Sequence, residues 1–300
     1  MSRWPRIIMA LMLLATALLR SLTAAAQGEH PPGESPRTAR EDLSIELVDP
    51  KLLRVCADPR NLPFSNQNGE GFENKLAEFL GAKFNKEVAY TWYPQAPGFV
   101  RNTLAALKCD VIIGYPQGSD VVQTTNPYYR TSYALVFKPG SGFDDIKTLA
   151  DPRLKEKRLG VIAGTPPSTY MATSGLMARA KPYPLVVDTR FDNSIEVMIK
   201  DLVAGDIDAG VLWGPLAGYY AKQSKEPLAV VPLVREESGP PMVYRIAMGV
   251  RPSDQQWKRQ LNQTIQQNQA AINHILLGFG VPLLDENNTP ITEENAAKRP

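Results

Sequence analysis

The alternation of short apolar runs with amphipathic ones constrains this chain more than any single motif. LLRVCA (52–57), EVAYTWY (87–93) and DVIIGYP (110–116) read as strands, rich in β-branched and aromatic residues. Between them, ENKLAEFLGAKF sets Leu76, Phe79, Leu80 and Phe84 at helical spacing, and FVRNTLAALKC sets Val100, Leu104 and Leu107 on one face. A β-α-β-α-β order with short connections implies a parallel sheet with helices on both sides, hence an α/β fold. A second unit of the same plan follows. It runs through RLGVIAG (158–164), the loop TPPST entering a helix, LVVDT (185–189), a helix with Asn193 or Ser194 as cap and Gly205 as stop, and AGVLWGP (209–215).

Two extended segments, near 133–138 and 228–233, join the units. One long helix, with Trp257, Leu261, Ile265, Ile272 and Leu276 on a single face, completes the first unit after the second has closed. The expected layout is a signal segment 1–26, a flexible leader 27–50, a discontinuous first lobe 51–133 plus 242–284, a second lobe 139–232, and a mobile polar tail 285–300. Two lobes on a two-segment hinge can close over a ligand.

The chain opens with Arg3 and Arg6, an apolar run from Ile7 to Leu19, and Ala24-Ala25-Ala26. This is the pattern of a secretory signal cut after Ala26, the apolar run being short for a membrane span. The mature protein is therefore expected to be exported, with no membrane span. The formal charge of +2 falls to −1 once Arg3, Arg6 and Arg20 are removed, which argues against a nucleic-acid partner. The chain has two cysteines, Cys56 and Cys109. An oxidising compartment permits them to pair. Their places, late in one strand and just before another, put them toward opposite ends of parallel neighbours, which opposes pairing. Both readings stand at the level of sequence.

These strings resemble the periplasmic solute-binding proteins of type II topology, over about Leu52 to Val281. The markers are LRVCADPRNLPFS, GFENKLAEFL, CDVIIG, NPYY followed by ALVF, LGVIAGT and LVAGDIDAGVLWGP. VCADPRNLPFSN, GEGFENKLA, YTWYPQ, GFVRNTL and CDVIIGYPQG are more specific. They resemble the quinoprotein-dehydrogenase-associated members, the J proteins of pyrroloquinoline-quinone (PQQ) methanol dehydrogenase clusters. That resemblance implies a periplasmic partner that assists maturation or activation of the apo or maturing dehydrogenase. Amino-acid-binding relatives clamp the ligand carboxylate with an Arg before the Pro-Tyr step and its ammonium with an Asp after the AGVLW strand. Here no Arg lies between Tyr115 and Tyr129, and Trp213 stands in place of the Asp. Without both charges a standard amino acid loses its clamp.

Candidate cleft residues come from loops at strand ends. Asp58, Asn61, Phe64, Glu73 and Asn74 form one lip, although Asp-Pro and Asn-x-Pro steps are also ordinary turn builders. Tyr93, Gln95, Phe99 and Arg101 form a second, with Tyr93 and Phe99 as exposed aromatics flanking PQAPG and Trp92 assigned to the core. Tyr115, Gln117, Thr165, Ser168 and Trp213 face the cleft from other strands, although Thr165 and Ser168 also suit a helix cap. No nucleophile elbow, phosphate loop or metal-ligand cluster is present, so no catalytic residue, metal or cofactor is expected. Two alternatives remain. One is an uptake receptor for a small organic ligand that is not a standard amino acid. The other is a dehydratase-like enzyme with Glu73 as general acid.

Overall fold

The computed structural model describes residues 46–187 and 192–300; the predicted signal segment and most of the predicted leader lie outside them. The first unit comprises β1 (Leu52–Ala57), α1 (Phe72–Phe84), β2 (Glu87–Trp92) and β3 (Val111–Pro116). β1 is the parallel neighbour of both β2 and β3. The long strand β4 (Tyr129–Phe137) follows. The second unit holds β5 (Leu159–Ile162), α2 (Pro166–Thr173), β6 (Lys181–Tyr183), α3 (Ser194–Ala204), β7 (Ala209–Trp213), α4 (Gly214–Gln223) and β8 (Ala229–Pro232). β9 (Val243–Val250), α5 (Gln255–Gln267) and α6 (Gln269–Gly278) return to the first unit, and β10 (Leu283–Leu284) and β11 (Pro290–Ile291) end the chain. The strand order β2-β1-β3-β9-β4-β7-β5-β6 is mixed, with β8 on β4. This is a type II periplasmic binding-protein topology.

β4 belongs to both halves of this path. Tyr129–Ser132 pair antiparallel with β9, and Tyr133–Phe137 pair with β7 and β8. Its alternation feeds two apolar layers. Leu135 and Phe137 pack with Phe143, Ile146, Val161 and Met171, whereas Ala134 and Val136 pack with Ile162, Met198, Leu202 and Leu212. The first unit's core sets Phe72, Leu76 and Leu80 of α1 and Trp257, Leu261 and Leu276 of α5 and α6 against Leu53, Val55 and Ile113.

A buried ion cluster fixes the first unit at its base. Asp110 accepts from Arg54 Nε at 2.7 Å and from the Arg251 guanidinium at 2.7 Å, and Arg251 also meets Asp254 at 2.6 Å. Two cations face two anions, and Trp257 Nε1 donates to the Asp110 carbonyl at 3.2 Å. The Glu46 carboxylate accepts the Trp257 N–H at 3.0 Å and also bonds the Gln256 N–H, satisfying free donors at the start of α5.

Cys56 and Cys109 form a disulfide, with Cα atoms 5.4 Å apart, one of the two readings the sequence left open. Several expectations are corrected. The opposite-ends argument fails because β3 begins at Val111, so Cys109 precedes the ladder. Thr91, opposite Cys56 in the register, donates its hydroxyl to the Lys108 carbonyl at 2.7 Å and draws the next residue over Cys56. For the same reason the helix expected through 109 stops after one turn, Phe99–Asn102: Thr103 turns its hydroxyl to the Phe99 carbonyl, and Leu107 takes φ 59°. The strand expected at 185–189 lies earlier, at β6; Leu185 and Val186 are exposed, and 188–189 lie outside the described residues. Residues 228–233 are not a crossing segment, since β8 stays with β4, and the return lies between Leu233 and Val243. The single long helix breaks at Asn268 into α5 and α6.

The tail after 285 is packed. Ile291 and Ala296 are buried, and Asn273 Nδ2 donates to the Ala296 carbonyl at 2.7 Å and the Lys298 carbonyl at 2.9 Å. At the edge of the path, β6 pairs with β5 alone among the described residues and carries Pro182, followed by Pro184. No helix among the described residues is long and apolar enough to cross a membrane.

Removing Asp110 strands two buried or half-buried guanidinium groups. Asp110→Ala is expected to lower unfolding free energy by about 3–5 kcal/mol, read from the midpoint of urea denaturation.

Candidate functional site

A cleft of about 1020 Å³ runs along the seam where β4 passes between the two sheet regions. The loop after β1 forms one wall. Asp58 accepts from the Arg60 N–H at 2.8 Å and the Gln95 N–H at 2.6 Å, and Asn61 Nδ2 donates to Gln95 Oε1 at 2.9 Å. The two lip loops are thus sewn together by turn chemistry. Gly71 lets the loop fold back, because a Cβ there would strike the Phe64 carbonyl, which accepts the Glu73 N–H at 2.8 Å. Asn74 caps this corner by accepting from Gly71 N at 3.1 Å and Asn66 N at 3.0 Å.

The floor is aromatic. Tyr129 and Tyr133 share one face of β4, Trp213 ends β7 opposite Tyr133, and Tyr244 enters from β9. Ring centroids stand 5.1 Å apart for Tyr133 and Trp213, 5.6 Å for Trp213 and Tyr244, and 6.3 Å for Tyr133 and Tyr244, in edge-to-face geometry. Burial pushes the three tyrosine hydroxyls of this floor upward in pKa, so they stand as neutral phenols.

Glu73 is the exceptional group. It lines the cleft at 9% exposure, beside Gly114, where a Cβ would collide with its carboxyl oxygen. Its carboxyl has no hydrogen-bond partner among the described residues. Burial, with a smaller push from Asp58, raises its pKa from 4.5 to about 8.

Of the sequence-predicted residues, the structure brings Asn61, Phe64, Glu73, Gln95, Tyr115, Thr165 and Trp213 into the cleft lining. It does not bring Asp58, Tyr93, Phe99, Arg101, Gln117 or Ser168 there. Phe99 is not an exposed aromatic: it is buried with Cys56, Cys109 and Leu104, because the crosslink folds its turn under β1. Tyr93 packs on it and accepts from Asn102 at 2.9 Å. Arg101 is exposed on that turn, and Gln117 is exposed with its N–H on the Arg245 carbonyl. Thr165 and Ser168 turn their hydroxyls to the carbonyls of Ile162 and Thr165. Sequence reading missed Tyr129, Tyr133, Tyr220 and Tyr244. The i, i+4 pair in YRTSYALVF was a readable signal for one strand face, but the pairing of β9 that supplies Tyr244 left none.

Comparison with known proteins agrees with this architecture. The chain matches the crystal structure of the periplasmic binding protein XoxJ from Methylobacterium extorquens AM1 with TM-score 0.66 and 42% identity, covering 78% of this chain and all of that one. It matches MxaJ from Methlophaga aminisulfidivorans MPT with TM-score 0.65 and 28% identity, covering 77% and 100%. Protein MoxJ of Methylorubrum extorquens is 28% identical over 291 residues, 91% of this chain and 94% of that protein. No protein-family model matches the chain. Fold and cleft define a type II periplasmic binding protein. Within that class the chain belongs to the family of XoxJ, MxaJ and MoxJ, as the J-protein resemblance in its sequence implied.

The Glu73 shift makes stability fall with pH. Below about pH 4.5 the carboxyl is protonated whether folded or not, and the ionisation-linked cost is absent. Between about 4.5 and 8 the unfolded chain ionises while the folded one does not, so unfolding gains; above about 8 the cost is constant. Relative to Glu73→Gln, the protein is expected to lose up to roughly 5 kcal/mol across that window, by urea unfolding at its two ends.

Proposed function

We propose that this protein is a periplasmic, binding-protein-like accessory that binds a PQQ-dependent methanol dehydrogenase in its apo or maturing form and assists its maturation or activation, holding a segment of that enzyme in the cleft. The observation that carries the reading is the cleft's chemistry. Arg60, on the exposed loop, is the one cation among the described residues that line it, and the place of an amine-binding Asp is taken by Trp213, packed edge-to-face with Tyr133 and Tyr244. Such a floor lacks a clamp for a free carboxylate and offers the aromatic anchors that dominate protein interfaces. Kinship with XoxJ, MxaJ and MoxJ supports the partner class.

Trp213→Ala is expected to weaken capture of the apo-dehydrogenase at least about tenfold, as loss of a hot-spot aromatic does. The measurement is binding of purified apo-enzyme, with activation on adding cofactor and metal as a second readout. Absence of both capture and activation by the wild-type protein overturns the proposal. A second reading, a dehydratase-like enzyme, draws on the protonated acid Glu73 in the cleft; it requires turnover that Glu73→Gln abolishes. An uptake receptor would instead show a thermal shift with one small solute and none with the dehydrogenase.

A further inference from the structure

The Glu73 carboxyl ties no other described part of the fold by a hydrogen bond, yet it is nine-tenths buried and lines the cleft. A polar group in that state costs stability until something enters to satisfy it. The surrounding charge says what that is. Among the described residues, the charged groups lining the cleft are Glu73, Asp192 and Glu196 against Arg60, and Asp58 acts on Glu73 from the end of β1. The other titratable groups that sense Glu73 are Tyr90 of β2, Tyr128 just before β4 and Tyr129 of β4, all neutral phenols at physiological pH. Among the described residues no cation acts on it.

We infer that the cleft selects a segment carrying a basic side chain, Lys or Arg, among apolar residues, with Glu73 as the counter-group and the Tyr133–Trp213–Tyr244 floor as the seat of the flanking residues. An acidic segment meets like charges. A purely apolar one leaves the buried carboxyl unsatisfied. A cation both satisfies it and favours the electron-rich ring faces around it. Entry of the cation ionises Glu73, whose proton passes to solvent. Binding therefore strengthens as pH rises toward about 8, where the free carboxyl is already half ionised. This inference rests on the reading that the cleft holds a protein segment.

The test uses end-capped peptides of Leu, Val and Phe residues with Lys, Leu or Glu in the central place, titrated into the full chain by calorimetry at about pH 6.5 and about pH 8. The Lys peptide is expected to bind most tightly and to gain on the order of tenfold between the two pH values. The Leu peptide gains nothing, and the Glu peptide is weakest. In Glu73→Gln the gain with pH vanishes and the Lys and Leu peptides converge, while in Trp213→Ala both weaken together and the pH profile stays. Gln mimics the neutral acid already present, and the wild-type pH profile decides the matter without any variant. Equal binding of the Lys and Leu peptides at both pH values overturns the basic-segment inference and leaves the segment-holding reading standing. Binding of no peptide overturns both.

Discussion

The hydrogen-bonding of β4 is the constraint on which the rest of the structure depends. One strand is committed to β9 over its first residues and to β7 and β8 over its last, so the two sheet regions share a single backbone. The aromatic floor lies on that strand and its immediate partners. Trp213 and Tyr133 meet because the register pairs them, and Tyr244 joins because its strand pairs with the half of β4 one step earlier. The floor is thus fixed by main-chain geometry rather than by the packing of loops, which makes it a preorganised surface.

Much of the fold was legible. The apolar runs at 52–57 and 209–213, the alternating run at 87–92, and the helical spacing of Leu76 and Leu80 follow from local burial, which a sequence displays directly. The parts that were not legible depend on contacts distant in sequence. The one-turn helix at Phe99–Asn102 is cut short because Cys109 must reach Cys56, and only the Thr91–Lys108 bond reveals that approach. The break at Asn268 comes where Gln269 turns inward to donate to the Tyr128 carbonyl at 2.8 Å and to Asn273. The packed end of the chain is held in part by Asn273, whose amide reaches two carbonyls beyond residue 295. A polar helix face looked solvated in the sequence because its partners lie elsewhere.

The candidate site divides in the same way. Residues at strand ends, such as Phe64, Tyr115 and Trp213, were found because loop position and residue type suffice. Glu73 was found, but its burial was not visible, since it depends on Gly114 being bare of a side chain across the sheet. Phe99 was misplaced because an aromatic beside a turn reads as exposed when the crosslink beneath it is unknown. Tyr133 was passed over as part of a connection, although it lies at the centre of the aromatic floor.

The proline-bearing edge strand has a consequence of its own. Among the described residues β6 ends the sheet with one side open, the position where an extended foreign chain would otherwise add itself by main-chain pairing. Pro182, with Pro184 just beyond, removes donors from that rim. A protein proposed to meet incompletely folded polypeptide must refuse indiscriminate strand exchange at its borders. Blunting β6 removes backbone adhesion along that rim, so a segment proposed to enter the cleft would be recognised there by its side chains.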